Sequence, residues 1–166
     1  MKKLFIIILI LFTWNNALAD FSSDKHALVI GNSKYKEYPL RNPLNDANDI
    51  ASTLKKLGFS VLKEVNANQQ EMENAIRKFG RRLKEGDIAL FYFSGHGVQV
   101  NGLNYLIPIG AEIESEDEIR YKAVEAGMVV GKLKRVQSRL NIIILDACRS
   151  NPFKYFRSLT RGFVCP

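Results

Sequence analysis

Six consecutive residues, Ile88-Ala89-Leu90-Phe91-Tyr92-Phe93, are apolar at both odd and even positions. Side chains alternate across a strand, so a run without a polar parity belongs to a strand covered on both faces, the situation of a central strand in a parallel sheet. Ile142-Ile143-Ile144-Leu145 repeats the pattern and is read as a second doubly covered strand. The rest of the chain follows from that constraint, because parallel strands need crossover connections and each crossover must bring a helix onto a face of the sheet.

The flanking segments supply these crossovers. Lys25 to Ile30 reads as a buried strand stopped by the turn cluster Gly31-Asn32-Ser33. Leu44, Ala47, Ile50, Ala51, Leu54 and Leu57 recur at spacings of three and four, predicting a helix opened by Pro43 and ended by Gly58. Phe59 to Val65 is β-prone, and Met72, Ala75, Ile76, Phe79 and Leu83 place a second helix over Gln69 to Leu83. Beyond the central strand, Val98–Val100 and Leu103–Ile107 flank Asn101-Gly102, a pair suited to a two-residue hairpin turn. Glu112 to Glu118 is expected as an exposed acidic loop and Val124 to Leu140 as a helix. Alternating strands and helices define an α/β domain with a mostly parallel sheet.

A length of 166 residues suits one domain, and 46% apolar with 25% charged residues is ordinary globular usage. The formal charge of +7 is spread along the chain. Its densest stretch, Arg77, Lys78, Arg81, Arg82 and Lys84, has the spacing of a solvated helix face, so nucleic acid is not expected as a partner. Residues 1–19 read as a signal peptide: Lys2 and Lys3 precede the apolar run Leu4 to Phe12, and Ala17-Leu18-Ala19 offers small residues before Asp20. The run is shorter than the roughly 20 residues a membrane-spanning helix requires, so export without a permanent anchor is expected, to the periplasm or beyond. An oxidising compartment permits a bridge between Cys148 and Cys165, although a core of this size does not require one.

Chemistry gathers where the two apolar strands end. In open α/β sheets the ligand crevice lies beyond the carboxyl ends of the strands. The first strand runs into Ser94-Gly95-His96-Gly97 and the second into Asp146-Ala147-Cys148-Arg149. An imidazole and a thiol thus arrive at one edge, and a thiol attacks a carbonyl only as the thiolate that such an imidazole promotes. Either residue alone reads as structural; the pair, with His26 the only other histidine, reads as a nucleophile and its base. Asp146 and Cys148 lie two apart and would face the same crevice. Zinc lacks the necessary ligand spacing, and no Gly-rich phosphate loop follows any strand.

These two segments, 52 residues apart, resemble the caspase-like cysteine peptidases (peptidase C14). Ala27-Leu28-Val29-Ile30-Gly31-Asn32, Asn42-Pro43-Leu44-Asn45-Asp46-Ala47, Tyr105-Leu106-Ile107-Pro108 and Cys148-Arg149-Ser150-Asn151-Pro152-Phe153 are similar to the bacterial metacaspase-like branch, the orthocaspases. The resemblance runs from Lys25 to Phe153, the expected p20-like peptidase domain. It implies a three-layer caspase-like fold and an endopeptidase cutting protein or peptide substrates after Arg or Lys. His96 and Cys148 would be catalytic, the N–H groups of Gly97 and Cys148 would hold the oxyanion, and Asp46 and Asp146, supported by Ser94, would receive the basic side chain. Asp46 also suits a helix start on dipole grounds alone. Such domains continue past the cysteine with p10-like strands; the chain is expected to lack them, leaving 154–166 as a short truncated tail and a sheet edge open to self-association. An inactive, protein-binding remnant is the alternative to an active peptidase. No cofactor is expected. Some metacaspase-like enzymes use calcium, but Glu112, Glu114, Glu116, Asp117 and Glu118 lack EF-hand spacing and read as a solvated loop.

Overall fold

The computed structural model describes residues 24–147. The expected signal peptide, Cys148, Cys165 and the tail lie outside the described residues. Four parallel strands form the main sheet in the order β2-β1-β3-β7: β1 is Lys25–Gly31, β2 Ser60–Val65, β3 Ile88–Ser94 and β7 Leu140–Asp146. Helices α1 (Pro43–Lys56) and α2 (Gln69–Arg82) follow β1 and β2. A three-stranded antiparallel sheet, β4 (Gly97–Val100), β5 (Leu103–Leu106) and β6 (Val124–Glu125), and helices α3 (Ile119–Lys122) and α4 (Gly127–Val136) fill the interval between β3 and β7.

Strand order and handedness together decide which helix covers which face. The chain steps from β1 outward to β2, then reverses past β1 to β3 and continues to β7. Right-handed crossovers taken in opposite directions put their helices on opposite faces. Accordingly Ala27, Val29, Leu90 and Tyr92 pack with Ala47, Ala51 and Leu54 of α1. Leu28, Ile30, Phe91 and Phe93 pack on the other face with Met72, Ile76 and Phe79 of α2 and Val129 and Leu133 of α4. The expected doubly covered β3 is fully buried from Ala89 to Ser94. The reversal between β1 and β3 is a switch point, where the loops leaving the two strands part and open a crevice.

Local chemistry sets the ends of the elements. Asn68 caps α2 reciprocally with Glu71: its side chain accepts from Glu71 N at 3.0 Å, while Glu71 accepts from Asn68 N at 2.8 Å. Asn101 and Gly102 have φ of 49° and 79°, the left-handed values of a two-residue hairpin turn.

Three expectations change. The segment Val124 to Leu140 is not one helix: Val124 and Glu125 pair with Leu106 and Tyr105, the helix spans Gly127–Val136, and Gln137 closes it at φ 57°. Sheet pairing of a β-branched residue outweighs its helical spacing there. The acidic stretch is partly ordered, with a short 3-10 turn over Glu116–Glu118 leading into α3, and Ile113 and Ile119 are buried beneath it. The last strand begins at Leu140 and, among the described residues, is an edge, so Ile143 and Ile144 remain about two-fifths exposed at 39% and 41%. A four-residue apolar run cannot tell a central strand from an edge strand.

Gly31 ends β1 against α1; a Cβ there would collide with the Pro43 carbonyl oxygen and lie 2.6 Å from the Ala47 Cβ. Gly131, exposed in α4, has no neighbour within 4 Å of such an atom. Gly31→Ala is expected to cost about 1–3 kcal/mol through overpacking, and Gly131→Ala to stabilise by about 0.5–1 kcal/mol through helix propensity. Urea midpoints of the two variants check both signs.

Candidate active site

The crevice at the switch point is built on a buried carboxamide. Asn32, just beyond β1, is fully buried; its backbone N–H donates to Ser94 O at 2.9 Å, its Oδ1 accepts from Ala67 N at 2.9 Å and its Nδ2 donates to Ala67 O at 3.2 Å. The strand ends are thereby fixed to the segment entering α2. Asn66 Oδ1 accepts from Ser33 N and Lys34 N at 2.9 and 3.0 Å, and Ser33 Oγ accepts from Leu44 N at 3.1 Å. The loop between β1 and α1 is thus pinned at both ends.

That loop holds His96. Tyr35 Oη accepts from the His96 backbone N–H at 3.0 Å and donates to Ile107 O at 3.0 Å, while its ring lies 4.4 Å from the imidazole, centroid to centroid, at a tilt of 52°. Burial pushes the Tyr35 hydroxyl far above its ordinary value, which keeps it a donor across the working range. The strand has to turn at Gly95 for this contact: a Cβ there would lie 2.6 Å from Tyr35 Oη and 2.8 Å from the Phe93 ring. On the imidazole, Nε2 lies 2.7 Å from the carbonyl oxygen of Tyr38. A carbonyl only accepts, so Nε2 carries the hydrogen, and in the neutral ring the lone pair is on Nδ1. Tyr38 has φ 102°, a left-handed conformation that costs a non-glycine residue about 1–3 kcal/mol and that aims its carbonyl at the ring.

At the carboxyl ends of β3 and β7 two carboxylates gather around a phenol. The parallel register sets Ser94 opposite Asp146 and Tyr92 opposite Ile144, so Tyr92, Ser94 and Asp146 share the face covered by α1. Tyr92 Oη donates to Asp146 Oδ2 at 3.2 Å and Ser94 Oγ to the same oxygen at 3.4 Å. Asp46 stands in the first turn of α1. Burial pushes the Tyr92 hydroxyl up to about 12, and the negative charges of Asp146 and Asp46 push in the same direction. Both carboxylates therefore act on one hydroxyl. Among the described residues, the ion pairs are His26–Asp87, Lys36–Glu112, Arg77–Glu73 and Lys122–Glu118; none involves Asp46 or Asp146. Two carboxylates without a cation beside a neutral phenol can accept a guanidinium or an ammonium.

Of the residues singled out in the sequence, His96, Ser94, Asp46 and Asp146 converge on this edge, and Gly97 opens β4 opposite Leu106. Cys148 stands two residues beyond Asp146, outside the described residues. Tyr35, Tyr38 and Tyr92 escaped the sequence reading. Tyr92 has the parity of Ser94 on the same strand and could have been found from it; the two loop tyrosines carry no periodic signal. Among the described residues, the only set of three potential metal ligands is Asp24, His26 and Asp87, at the opposite end of the sheet. The acidic stretch forms no such set, as Glu118 accepts from Glu114 N and Lys122 Nζ.

A parallel sheet with a histidine and two carboxylates at the carboxyl ends of its strands defines an α/β fold with polar groups gathered at a switch point. Residues 24–162 match the caspase domain family, Peptidase_C14, and the chain belongs to that family. It is 33% identical over 132 residues, 77% of its length, to human mucosa-associated lymphoid tissue lymphoma translocation protein 1, of which it spans 15%. With Metacaspase-3 of Arabidopsis thaliana it shares 32% identity over 163 residues, 85% of this chain and 42% of that protein. The chain thus spans less than half the length of these relatives. The crystal structure of protein GSU0716 from Geobacter sulfurreducens superposes with a TM-score of 0.55 at 20% identity, covering 80% of this chain and 55% of that one, a likeness of fold.

Burial holds the His96 pKa below its ordinary 6.5, with the Tyr38 carbonyl opposing more weakly by favouring the protonated ring. The ring therefore binds its proton less tightly in the folded chain than in the unfolded one. Its contribution to stability is complete above pH 6.5 and is lost as the pH falls through the lower, folded value. An NMR titration of the imidazole in the Cys148→Ala chain should give a midpoint below 6.5, and Tyr35→Ala, which uncovers the ring, should raise it.

Proposed function

We propose that the chain is a cysteine endopeptidase that hydrolyses peptide bonds following arginine or lysine. The observation carrying this reading is the pair of carboxylates, Asp46 and Asp146, that act on the Tyr92 hydroxyl without an ion-pair partner among the described residues, on the strand that leads into His96. Membership of a peptidase family supports the reaction class.

In this mechanism His96 Nδ1 takes the proton from Cys148 Sγ, and the thiolate forms a bond to the scissile carbonyl carbon while the carbonyl electron pair moves to oxygen. The N–H groups of Gly97 and Cys148 hold that oxyanion. As the intermediate collapses, the carbon–nitrogen bond breaks and the imidazolium returns its proton to the leaving amine. A water molecule, deprotonated by the same ring, then attacks the thioester and releases the acid and the thiol. The Tyr38 carbonyl keeps Nε2 protonated, so Nδ1 is the atom that takes and returns the proton. The basic side chain before the cut meets the Asp46 and Asp146 carboxylates, where arginine gains from a two-pronged contact that lysine lacks. Protein or peptide chains are the substrates, and the chain is exported once residues 1–19 are removed; N-terminal sequencing of exported protein should begin at Asp20.

Cys148→Ala and His96→Ala should each abolish cleavage of arginyl peptides, because nucleophile and base act as a unit. Asp146→Asn should lower kcat/KM for arginyl peptides by about tenfold to a hundredfold relative to neutral ones, while leaving Cys148 reactive to a small alkylating agent. Cleavage persisting in either of the first two variants, or an unchanged arginine preference in the third, overturns the corresponding assignment.

A further inference from the structure

A recess flanks the imidazole, with a volume of about 250 Å³. It shares His96 with the site described above but none of Tyr92, Ser94, Asp46 or Asp146. Its floor is apolar: Ile107 and Ile113 are buried, and Ala111 and the Tyr35 ring pack with the same cluster. Its rim is acidic, with Glu37, Glu112 and Glu114 against the single ammonium of Lys36, and all four are exposed.

The chemistry of amide cleavage says what belongs there. The imidazole must deliver a proton to the leaving nitrogen, so the side chain carried by that residue begins two bonds from an atom in contact with the ring. The side chain before the cut is drawn to the Asp46 and Asp146 carboxylates on the α1 face. The one after it needs a separate cavity that touches the ring, and the recess lined by His96 and by none of those carboxylates meets that requirement. We propose that this recess is the subsite for the residue following the cut bond and that it selects an apolar side chain of the size of leucine. Its carboxylate rim repels aspartate and glutamate. The assignment rests on the proteolytic reading above, and it adds a preference which that reading does not contain.

The test uses peptides identical except for the residue after arginine: leucine, alanine, aspartate or lysine. Leucine should raise kcat/KM about tenfold over alanine, since the added apolar atoms are removed from water, and aspartate should fall below alanine. Ala111→Phe, which fills the recess, should bring leucine and alanine to equal rates while leaving the arginine preference before the cut intact. Glu114→Lys, an exposed change that leaves the core alone, should raise the aspartate peptide toward the alanine one. Equal rates for leucine and alanine in the wild-type chain, or aspartate as the best residue, would falsify the subsite. A binding measurement separates this proposal from the reaction itself. In the Cys148→Ala chain the leucine peptide should shift the methyl resonances of Ile107 and Ile113 more than the alanine peptide does. If those methyls respond but the wild-type chain cuts no arginyl peptide, the subsite stands and the proteolytic reading falls. If arginyl peptides are cut and the methyls do not respond, the subsite falls and the reaction stands.

Discussion

Asn32 sits fully buried where four segments meet: its carboxamide is matched by Ala67 at the entry to α2 and by Ile107 beyond β5, while its backbone N–H donates to Ser94 at the end of β3. A buried amide is tolerated only when its donors and acceptor are matched, and leaving one unmatched costs about 1–3 kcal/mol. Matching them here means that the ends of β1 and β3, the head of α2 and the hairpin sheet must hold fixed relative positions. The Tyr35 and Tyr38 contacts to His96 depend on that frame, because the loop carrying both tyrosines starts one residue after Asn32. A replacement by an apolar residue would leave Ala67 N–H without its acceptor, so the damage would spread from the frame to the imidazole.

Much of this arrangement is legible in the sequence, for reasons that separate local from non-local information. The two apolar runs, the helical spacing of α1 and α2 and the Asn-Gly turn are local patterns, and they hold. The convergence of His96 with Asp146 follows from strand order and parity, and the motifs around them match the family that residues 24–162 define. What was not legible depends on partners far away in sequence. Val124 pairs with Leu106, and no spacing around Val124 announces that bond. Ile143 and Ile144 look like core because their neighbours in sequence are apolar, although exposure is decided by what lies across the sheet edge. The orientation of the Tyr38 carbonyl rests on a single positive φ, invisible in residue types that normally avoid it.

The division of labour between the two faces of the main sheet is also physical. The face under α2 and α4 holds the largest fully buried aromatic residues, Phe79, Phe91 and Phe93. The face under α1 is lighter, with alanines at Ala27, Ala47 and Ala51, and toward its carboxyl end it gives way to Tyr92, Ser94 and Asp146. The bulkier packing lies on one side, and on the other the smaller side chains let α1 and its Asp46 approach the group formed by Tyr92, Ser94 and Asp146.

The pair of hydroxyls on Asp146 has a stereochemical consequence. Tyr92 and Ser94 both donate to Oδ2, which uses the two lone pairs of that oxygen, while no described residue donates to Oδ1. Because the phenol keeps its proton up to about pH 12, this oxygen stays saturated at any physiological pH. Under the proposed specificity, a basic side chain approaching Asp146 finds Oδ1 free of donors from the described residues. A planar fork can engage that oxygen together with the Asp46 carboxylate, so the sheet-to-helix gap sets the reach such a side chain needs.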